Sequence, residues 1–203
     1  MIACEKILPG GEAIAGTGTI ITENRPAGSF IALENRIGAN IYILKSDHNA
    51  IAITANQNLV PYIKTSVVNS TLIISSPGYY LMNDHEITID VSMPVLEEIR
   101  LKGAGQVISG LPVHRIYLSG YGNISCNGLT DRVHVKLSGT GNIDLSSMPA
   151  SNAKVELSGS GKVILEAKNQ LDVSISGVGT VYYKGSARLT KKISGIGSVV
   201  KMD

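Results

Sequence analysis

Large aromatic side chains and cysteines are scarce in this sequence. Its 203 residues include no Trp, one Phe and two Cys. A core therefore has to be built from aliphatic side chains. The length allows one elongated domain or two small ones, and it is sufficient to bury a core without disulfide bonds. The cysteines, Cys4 and Cys126, lie far apart and form neither a metal-ligand pair nor a redox motif, so we expect Cys126 to be a small core residue.

Clustered charge and long apolar runs are also missing. The formal net charge is +2 and the charged residues are scattered singly, so the basic face that a nucleic-acid partner requires is not expected. No apolar run approaches the roughly 18 to 20 residues of a transmembrane helix, so no transmembrane segment is expected.

A complete signal peptide is absent. A small residue does precede Cys4, as at the end of a lipoprotein signal peptide, which hints at export and a true start upstream.

Six glycine-punctuated segments repeat through the C-terminal half. Each begins with Leu or Ile, carries two glycines separated by one residue, and ends with Val or Ile. The segments are residues 101–107, 118–124, 137–143, 157–163, 175–181 and 193–199, and their starts are 17, 19, 20, 18 and 18 residues apart. This period is too short for a strand and a full helix, so each repeat consists of strands and turns. Apolar and polar residues alternate before nearly every segment, which predicts one buried and one solvated strand face.

The paired glycines predict a corner in every repeat, because Gly reaches backbone conformations closed to other residues and lets neighbouring backbones approach closely. The predicted corner glycines are Gly103, Gly105, Gly120, Gly122, Gly139, Gly141, Gly159, Gly161, Gly177, Gly179, Gly195 and Gly197. The predicted fold is all-β, a single-stranded parallel β-helix (solenoid) with coils of 17–20 residues. It is expected to be right-handed because crossovers between parallel strands have that general preference.

Stacked coils place equivalent residues in ladders. The Leu or Ile that begins each segment would be covered by the coils above and below, and Asn123 and Asn142 would stack their amides. Lys191 takes the inward position of the last repeat that Val holds in earlier ones, as an atypical terminal coil allows.

Residues 1–95 form a second, strand-rich region. We expect strands at 14–21, 41–44, 50–54, 71–75 and 86–91. Residues 14–20 match the repeat core once more, which leaves open a degenerate coil or a coincidence. Pro94 marks the junction, since Pro cannot donate to a central ladder. The predicted division is 1–95, which caps or continues the solenoid, and 96–203, the β-helix of six Gly-x-Gly coils.

Motifs for catalysis or cofactor binding do not emerge. The glycine pairs lack the third glycine and the helix of a dinucleotide fingerprint. The histidines, His48, His85, His114 and His134, have no metal-binding spacing. The carboxylates that a glycan-active enzyme would need occupy different repeat positions: Asp131, Asp144, Glu156, Glu166 and Asp172. We therefore predict no catalytic residue, no cofactor and no metal site, and keep a polysaccharide lyase or hydrolase as the alternative function.

Two tyrosines are candidate ligand contacts. Tyr117 and Tyr121 flank one corner, and exposed Tyr can stack on sugar faces. The alternative interpretation is that they cover gaps left by the glycines.

The repeats, together with residues 93–99 before them, resemble the family of putative auto-transporter adhesins, head GIN domain. The resemblance implies a β-helical bacterial envelope protein, frequently from Bacteroidetes, exported or lipid-anchored, without an established activity. It transfers no binding or catalytic residue. We therefore expect a non-enzymatic scaffold for adhesion or surface assembly, periplasmic or at the outer membrane or cell surface, whose partner is a cell-surface glycan or protein. Self-assembly as a homo-oligomer through the C-terminal end of the solenoid is the structural alternative, since a bare strand edge invites pairing.

Overall fold

The computed structural model describes residues 11–82 and 85–202, so the hint at Cys4 lies outside the described residues. These residues form nineteen β-strands and one short 3-10 helix, with no α-helix among them. No helix of the described part is long and apolar enough to cross a membrane. In chain order the strands are β1 (Glu12–Ala15), β2 (Ile20–Arg25), β3 (Ala32–Asn35), β4 (Asn40–Lys45), β5 (Ala50–Asn56), β6 (Lys64–Val68), β7 (Thr71–Ser75), β8 (Tyr79–Met82), β9 (Thr88–Met93), β10 (Glu98–Leu101), β11 (Ala104–Ser109), β12 (Arg115–Leu118), β13 (Tyr121–Cys126), β14 (Thr130–Leu137), β15 (Thr140–Leu157), β16 (Ser160–Ile175), β17 (Val178–Lys184), β18 (Arg188–Ile193) and β19 (Ile196–Lys201), and the 3-10 helix spans Val60–Tyr62.

The six predicted coils stack in register through parallel ladders. The residues that begin the repeats pair from coil to coil in the order Leu101, Leu118, Leu137, Leu157, Ile175 and Ile193. The residues that end them pair in the order Val107, Ile124, Ile143, Val163, Val181 and Val199. We name the sheet of the Leu101 column the first sheet and that of the Val107 column the second sheet. The prediction of an all-β solenoid is confirmed.

The N-terminal half extends both sheets, in an order that differs from the chain order. Strand β3 pairs in parallel with β10, and β4 pairs with β11. On their other sides, β3 and β4 pair with β7 and β9, which follow them in the chain. The coil at 32–45 therefore lies between the later segments 71–93 and 98–109. The two-domain division at residue 95 stays a prediction, and the ladders cross that point without a break.

Antiparallel strands close this end of the stack. Strand β6 pairs antiparallel with β7, and β5 pairs antiparallel with both β9 and β2. The outer edges of β9 and β7 are thus covered, so the parallel ladders do not end bare on this side. Residues 14–20 are not a coil, because Ile14 lies in β1, paired with β8, whereas Ile20 begins β2. Their match to the repeat core is a coincidence, and the strand expected at 14–21 is broken between β1 and β2.

Aliphatic columns fill the interior between the sheets. Leu101, Leu118 and Leu137 are completely buried, and each such side chain stabilises the fold by about 1.5 to 3 kcal/mol. Asn35 occupies the same column opposite Leu101 and is also buried. Its Oδ1 accepts a hydrogen bond from the Ile37 N–H at 3.1 Å, which offsets the cost of burying the amide.

The corners explain the paired glycines. A Cβ on Gly120 would lie 1.9 Å from the Gly103 carbonyl oxygen, and one on Gly141 would lie 1.7 Å from the Gly122 oxygen. Gly141 also has a φ of +149°, which side-chain-bearing residues rarely adopt. Each corner therefore lies directly on the backbone of the corner before it, and no side chain fits between them.

The coil at 32–45 shows that glycine is required by contact with the corner beneath and not by the bend itself. Its positions next to Gly103 and Gly105 are occupied by Ile37 and Ala39. The chain between β7 and β9 leaves the stack to form β8, so no corner lies beneath these two residues.

A glycine-to-alanine pair tests this explanation. We expect Gly141→Ala to lower the free energy of unfolding by about 2 to 4 kcal/mol, since it combines an unfavourable φ with overpacking. Gly38→Ala is the control, because a Cβ there meets nothing within 4 Å, and its effect should stay within about 0.5 kcal/mol. Urea denaturation of both variants measures the difference; a well-tolerated Gly141→Ala would contradict the corner geometry.

Cys126 is predicted to be unreactive in the folded chain. The side chain is buried in the core, and burial raises the pKa of its thiol to about 12, so almost no thiolate is present at neutral pH. Iodoacetamide treatment followed by peptide mapping should leave Cys126 unmodified in native buffer and modify it in urea. Rapid modification in native buffer would show that this part of the core opens.

Candidate functional site

Charged side chains meet on the outward side of the first sheet where β3, β10 and β12 lie side by side. Arg100 of β10 stands opposite Glu34 on one side and Tyr117 on the other. Glu98 stands opposite Arg115. Successive side chains of a strand alternate between its faces, so all five of these residues point away from the core.

Two carboxylates are buried beneath cations at this place. Glu34 is 3% exposed and Glu98 is 6% exposed. Lys102 Nζ lies 3.0 Å from Glu34 Oε1, while Arg100 reaches Glu98 Oε1 at 2.6 Å and Glu34 Oε2 at 3.6 Å.

Two further arginines complete the cluster. Arg36 Nε donates to Glu34 Oε1 at 2.5 Å, and Arg115 Nε donates to Glu98 Oε2 at 2.7 Å. The four cationic side chains remain 40 to 48% exposed. The carboxylates therefore hold the cations in place while part of each cation faces solvent.

The four cations line a groove of about 550 Å³, which we name the basic groove and which Glu34, Glu97 and Glu98 also line. One rim is the hairpin turn between β6 and β7, where Asn69 and Ser70 have φ values of 47° and 58°. Positive φ at both central residues is typical of a tight two-residue hairpin. Arg115 also lines a neighbouring depression of about 380 Å³, which continues along the same face toward Lys154 and Asp172.

Electrostatics keep the groove charged at neutral pH. Burial raises the pKa of Glu34, but hydrogen bonds from Lys102 and Arg36 outweigh this and hold it below the ordinary value. The hydrogen bond to Glu98 raises the pKa of Arg115. Because Glu34 stays ionised, it is a fixed negative charge and is poorly suited to donate a proton in catalysis.

An aromatic surface adjoins the basic groove. A second groove of about 470 Å³ is lined by Pro77, Tyr79 and Tyr80, which we name the aromatic shelf. Tyr79 packs edge to face against Tyr62, with ring centres 4.6 Å apart, whereas Tyr80 is 65% exposed. Arg36 lines both grooves, so charge and aromatic surface meet at this residue.

The two tyrosines predicted as ligand contacts line different surfaces. Tyr117 lies beside the basic groove, where the Arg100 guanidinium carbon is 5.6 Å from its ring centre. Tyr121 is 69% exposed at a corner, in a shallow depression of about 290 Å³ shared with Asn123 and Asn142. Those two asparagines form the predicted ladder, with Asn142 Nδ2 donating to Asn123 Oδ1 at 3.0 Å. Ligand binding by Tyr117 and Tyr121 stays a prediction.

Sequence reasoning missed Arg36 and Tyr80. Neither lies in a repeat, and the parallel pairing of β3 with β10 that brings Arg36 beside Lys102 has no sequence signature. The turn formers at Pro77 and Gly78 before two tyrosines were the available signal for an exposed aromatic surface.

Two histidines form separate pairs with carboxylates. His114 Nδ1 lies 2.8 Å from Glu97 Oε2, and His134 Nε2 lies 3.2 Å from Glu156 Oε1. The pKa of Glu156 is lowered, chiefly by its hydrogen bond from Lys154. Across 11–82 and 85–202, no three His, Cys, Asp or Glu side chains converge as metal ligands would.

Comparisons with known proteins agree with this fold. Residues 29–187 match the family described as putative auto-transporter adhesin, head GIN domain. A putative adhesin from Bacteroides fragilis is 25% identical, with a TM-score of 0.72 over 93% of this chain and 100% of that one. The comparison with curated proteins gave no match.

Two structures from Parabacteroides distasonis share the fold at lower identity. One is a putative adhesin, 14% identical, with a TM-score of 0.52 over 94% of this chain and all of that chain. The other is a putative lipid binding protein, 20% identical, with a TM-score of 0.52 over 95% of this chain and all of that chain.

Glu34 should give the stability a defined pH dependence. At pH 7, Glu34→Gln is expected to lower the free energy of unfolding by about 1.5 to 3 kcal/mol, since a hydrogen-bonded charge is lost. The folded-state pKa is lowered, so this contribution is complete above the ordinary value of 4.5 and disappears as the pH falls through the folded value. Urea denaturation at pH 7 and at about pH 3 should show that the difference in free energy of unfolding between parent and variant is smaller in acid.

The control for this experiment is Glu166→Gln, because Glu166 is half-buried and forms no ion pair with a described residue. Its effect should stay within about 0.5 kcal/mol at either pH. A Glu34→Gln loss of equal size at both pH values would contradict the electrostatic assignment.

Proposed function

The chain belongs to the family of putative auto-transporter adhesins, head GIN domain, and from this premise we propose that it is a non-enzymatic adhesin that binds an acidic glycan. The proposed binding surface is the basic groove together with the aromatic shelf. Arg36, which lines both, is the observation that carries the proposal.

The basic groove has the properties of an acidic-sugar site. Guanidinium groups bind carboxylate and sulfate oxygens through paired N–H donors. Arg36 and Arg100 are already oriented by Glu34 and Glu98, so little side-chain freedom is lost when a ligand binds. Their exposed parts remain available to an incoming anion.

The aromatic shelf supplies the other half of sugar recognition. Sugar rings carry apolar C–H faces that pack on aromatic rings. Tyr79 packs against Tyr62, which restrains its ring. Tyr80 beside it is exposed, so a sugar ring can pack on it. An oligosaccharide lying across Arg36 would contact a cation at one unit and a tyrosine ring at another.

A binding role without catalysis is supported by the adhesin family and by the pairing of the carboxylates. Glu34 and Glu98 are ion-paired with cations, so neither is free to act as an acid, base or nucleophile. We further propose export to the cell surface, as the family suggests, with Cys4 as a candidate lipid anchor.

Glycan binding is tested by titration calorimetry with short oligogalacturonates, and with neutral maltooligosaccharides of equal length as the comparison. Arg36→Gln should weaken oligogalacturonate binding about tenfold to a hundredfold, as expected for a lost charged hydrogen bond. Tyr80→Ala should weaken it about threefold to tenfold through lost stacking.

Lys168→Gln is the matched control, because Lys168 is exposed and lies outside both grooves, and its affinity should equal that of the parent. Equal binding of acidic and neutral sugars, or unchanged affinity in both groove variants, would refute the proposed site. Accumulation of unsaturated sugar products would favour a lyase instead.

A further inference from the structure

The outermost coil of the solenoid presents an open strand edge. Strands β18 and β19 pair inward with β16 and β17, and no strand of the described residues pairs with their outer edges. The N–H groups of Ile196 and Met202 donate inward, to Gly177 and Tyr183.

Because N–H groups alternate between the two sides of a parallel strand, those at the odd-numbered positions between them face the open edge. These are the N–H groups of Gly197, Val199 and Lys201. At the opposite end of the stack the outermost parallel strands, β9 and β7, are paired with the antiparallel strands β5 and β6.

The open edge is strongly basic. Residues 173–202 contain no Asp or Glu. Their five cations are Lys184, Arg188, Lys191, Lys192 and Lys201. None of the five forms an ion pair with a described residue. This end therefore carries five cations that no described carboxylate holds in an ion pair.

Exposed apolar side chains lie near these cations. Ile196 is 76% exposed, and Ile193 and Val200 are each 39% exposed. Lys191 stands opposite Val173, in a column that is apolar in the preceding coils. A lysine in an inward position of an edge strand blocks indiscriminate pairing, because an apolar strand laid on it would bury an unpaired charge.

We infer that the outer edge of β18 and β19 binds an acidic, extended segment of another protein, which adds to the solenoid as a further strand. Backbone hydrogen bonds to the open N–H and C=O groups supply the binding, as in other strand additions. An acidic residue opposite Lys191 and apolar residues opposite Ile193 and Val199 supply the selectivity.

The charge also determines which partner this edge favours. A second copy related by a two-fold axis would bring the five cations of each chain against those of the other, which is repulsive. The homo-oligomer predicted from the sequence is therefore the less favoured occupant, and it remains one outcome of the test. An anionic membrane would satisfy the lysines but would leave the backbone edge without ordered partners.

The test uses the full chain and a synthetic peptide in which Glu alternates with Val. Titration followed by NMR should give saturable binding, with slowed amide exchange at Gly197, Val199 and Lys201. The double substitution Lys191→Glu, Lys192→Glu should weaken binding at least tenfold, and Lys168→Glu, a charge change of the same kind elsewhere, should leave it unchanged. The same peptide with alternate backbone nitrogens methylated should not bind, because its donors are blocked.

Three results would overturn the inference. Equal binding of the methylated peptide would show attraction by charge alone, without strand addition. Binding to phosphatidylglycerol vesicles with no binding of the peptide would assign the basic end to a membrane surface. A dimer whose outer-edge amides are protected before peptide is added would show that a second copy occupies the edge.

Discussion

The contact between successive glycine corners is the constraint on which the rest of this structure depends. A Cβ at either glycine position would lie about 2 Å from a carbonyl oxygen of the coil beneath, as at Gly120 and Gly122. Only a backbone without side chains can stack so closely. Once the corners are stacked, the register of both flanking strands is fixed, because the chain on each side starts from the same height and direction.

That register determines the chemistry of both faces. Inward, it aligns Leu101 with Leu118 and the later members of the column, so the core is continuous along the axis. Outward, it places Arg100 between Glu34 and Tyr117 and aligns Glu98 with Arg115. Shifting one strand by a single residue would bury these charges and expose the leucines. The basic groove is thus a consequence of the same stacking that holds the fold together.

The repeat predicted the C-terminal coils well, because each residue of the pattern has a local physical cause that the sequence displays. The coil at 32–45 escaped prediction for the same reason. With no corner beneath Ile37 and Ala39, its turn needs no glycine at these two positions and lacks the Gly-x-Gly signature. The order of stacking was equally inaccessible, since nothing local indicates that β7 and β9 lie beneath the earlier strands β3 and β4.

The candidate site depends on that unpredicted order. Alternation along β10 does indicate that Arg100 points outward, but only the pairing of β3 with β10 brings Arg36 and Lys102 to the same carboxylate. Tyr80 lies in β8, a strand outside the stacked coils. When the pairing of non-consecutive strands brings residues together, no characteristic spacing in the sequence indicates it. Closeness in sequence is equally unreliable, since Tyr117 and Tyr121 lie on separate surfaces.

A crystal structure of the chain bound to a short oligogalacturonate tests the functional account most directly. The account predicts a sugar carboxylate against the Arg36 guanidinium and a neighbouring sugar ring packed on Tyr80. A sugar bound at the Tyr121 corner, with the basic groove and aromatic shelf empty, would contradict it and return the function to the surface first expected from the sequence.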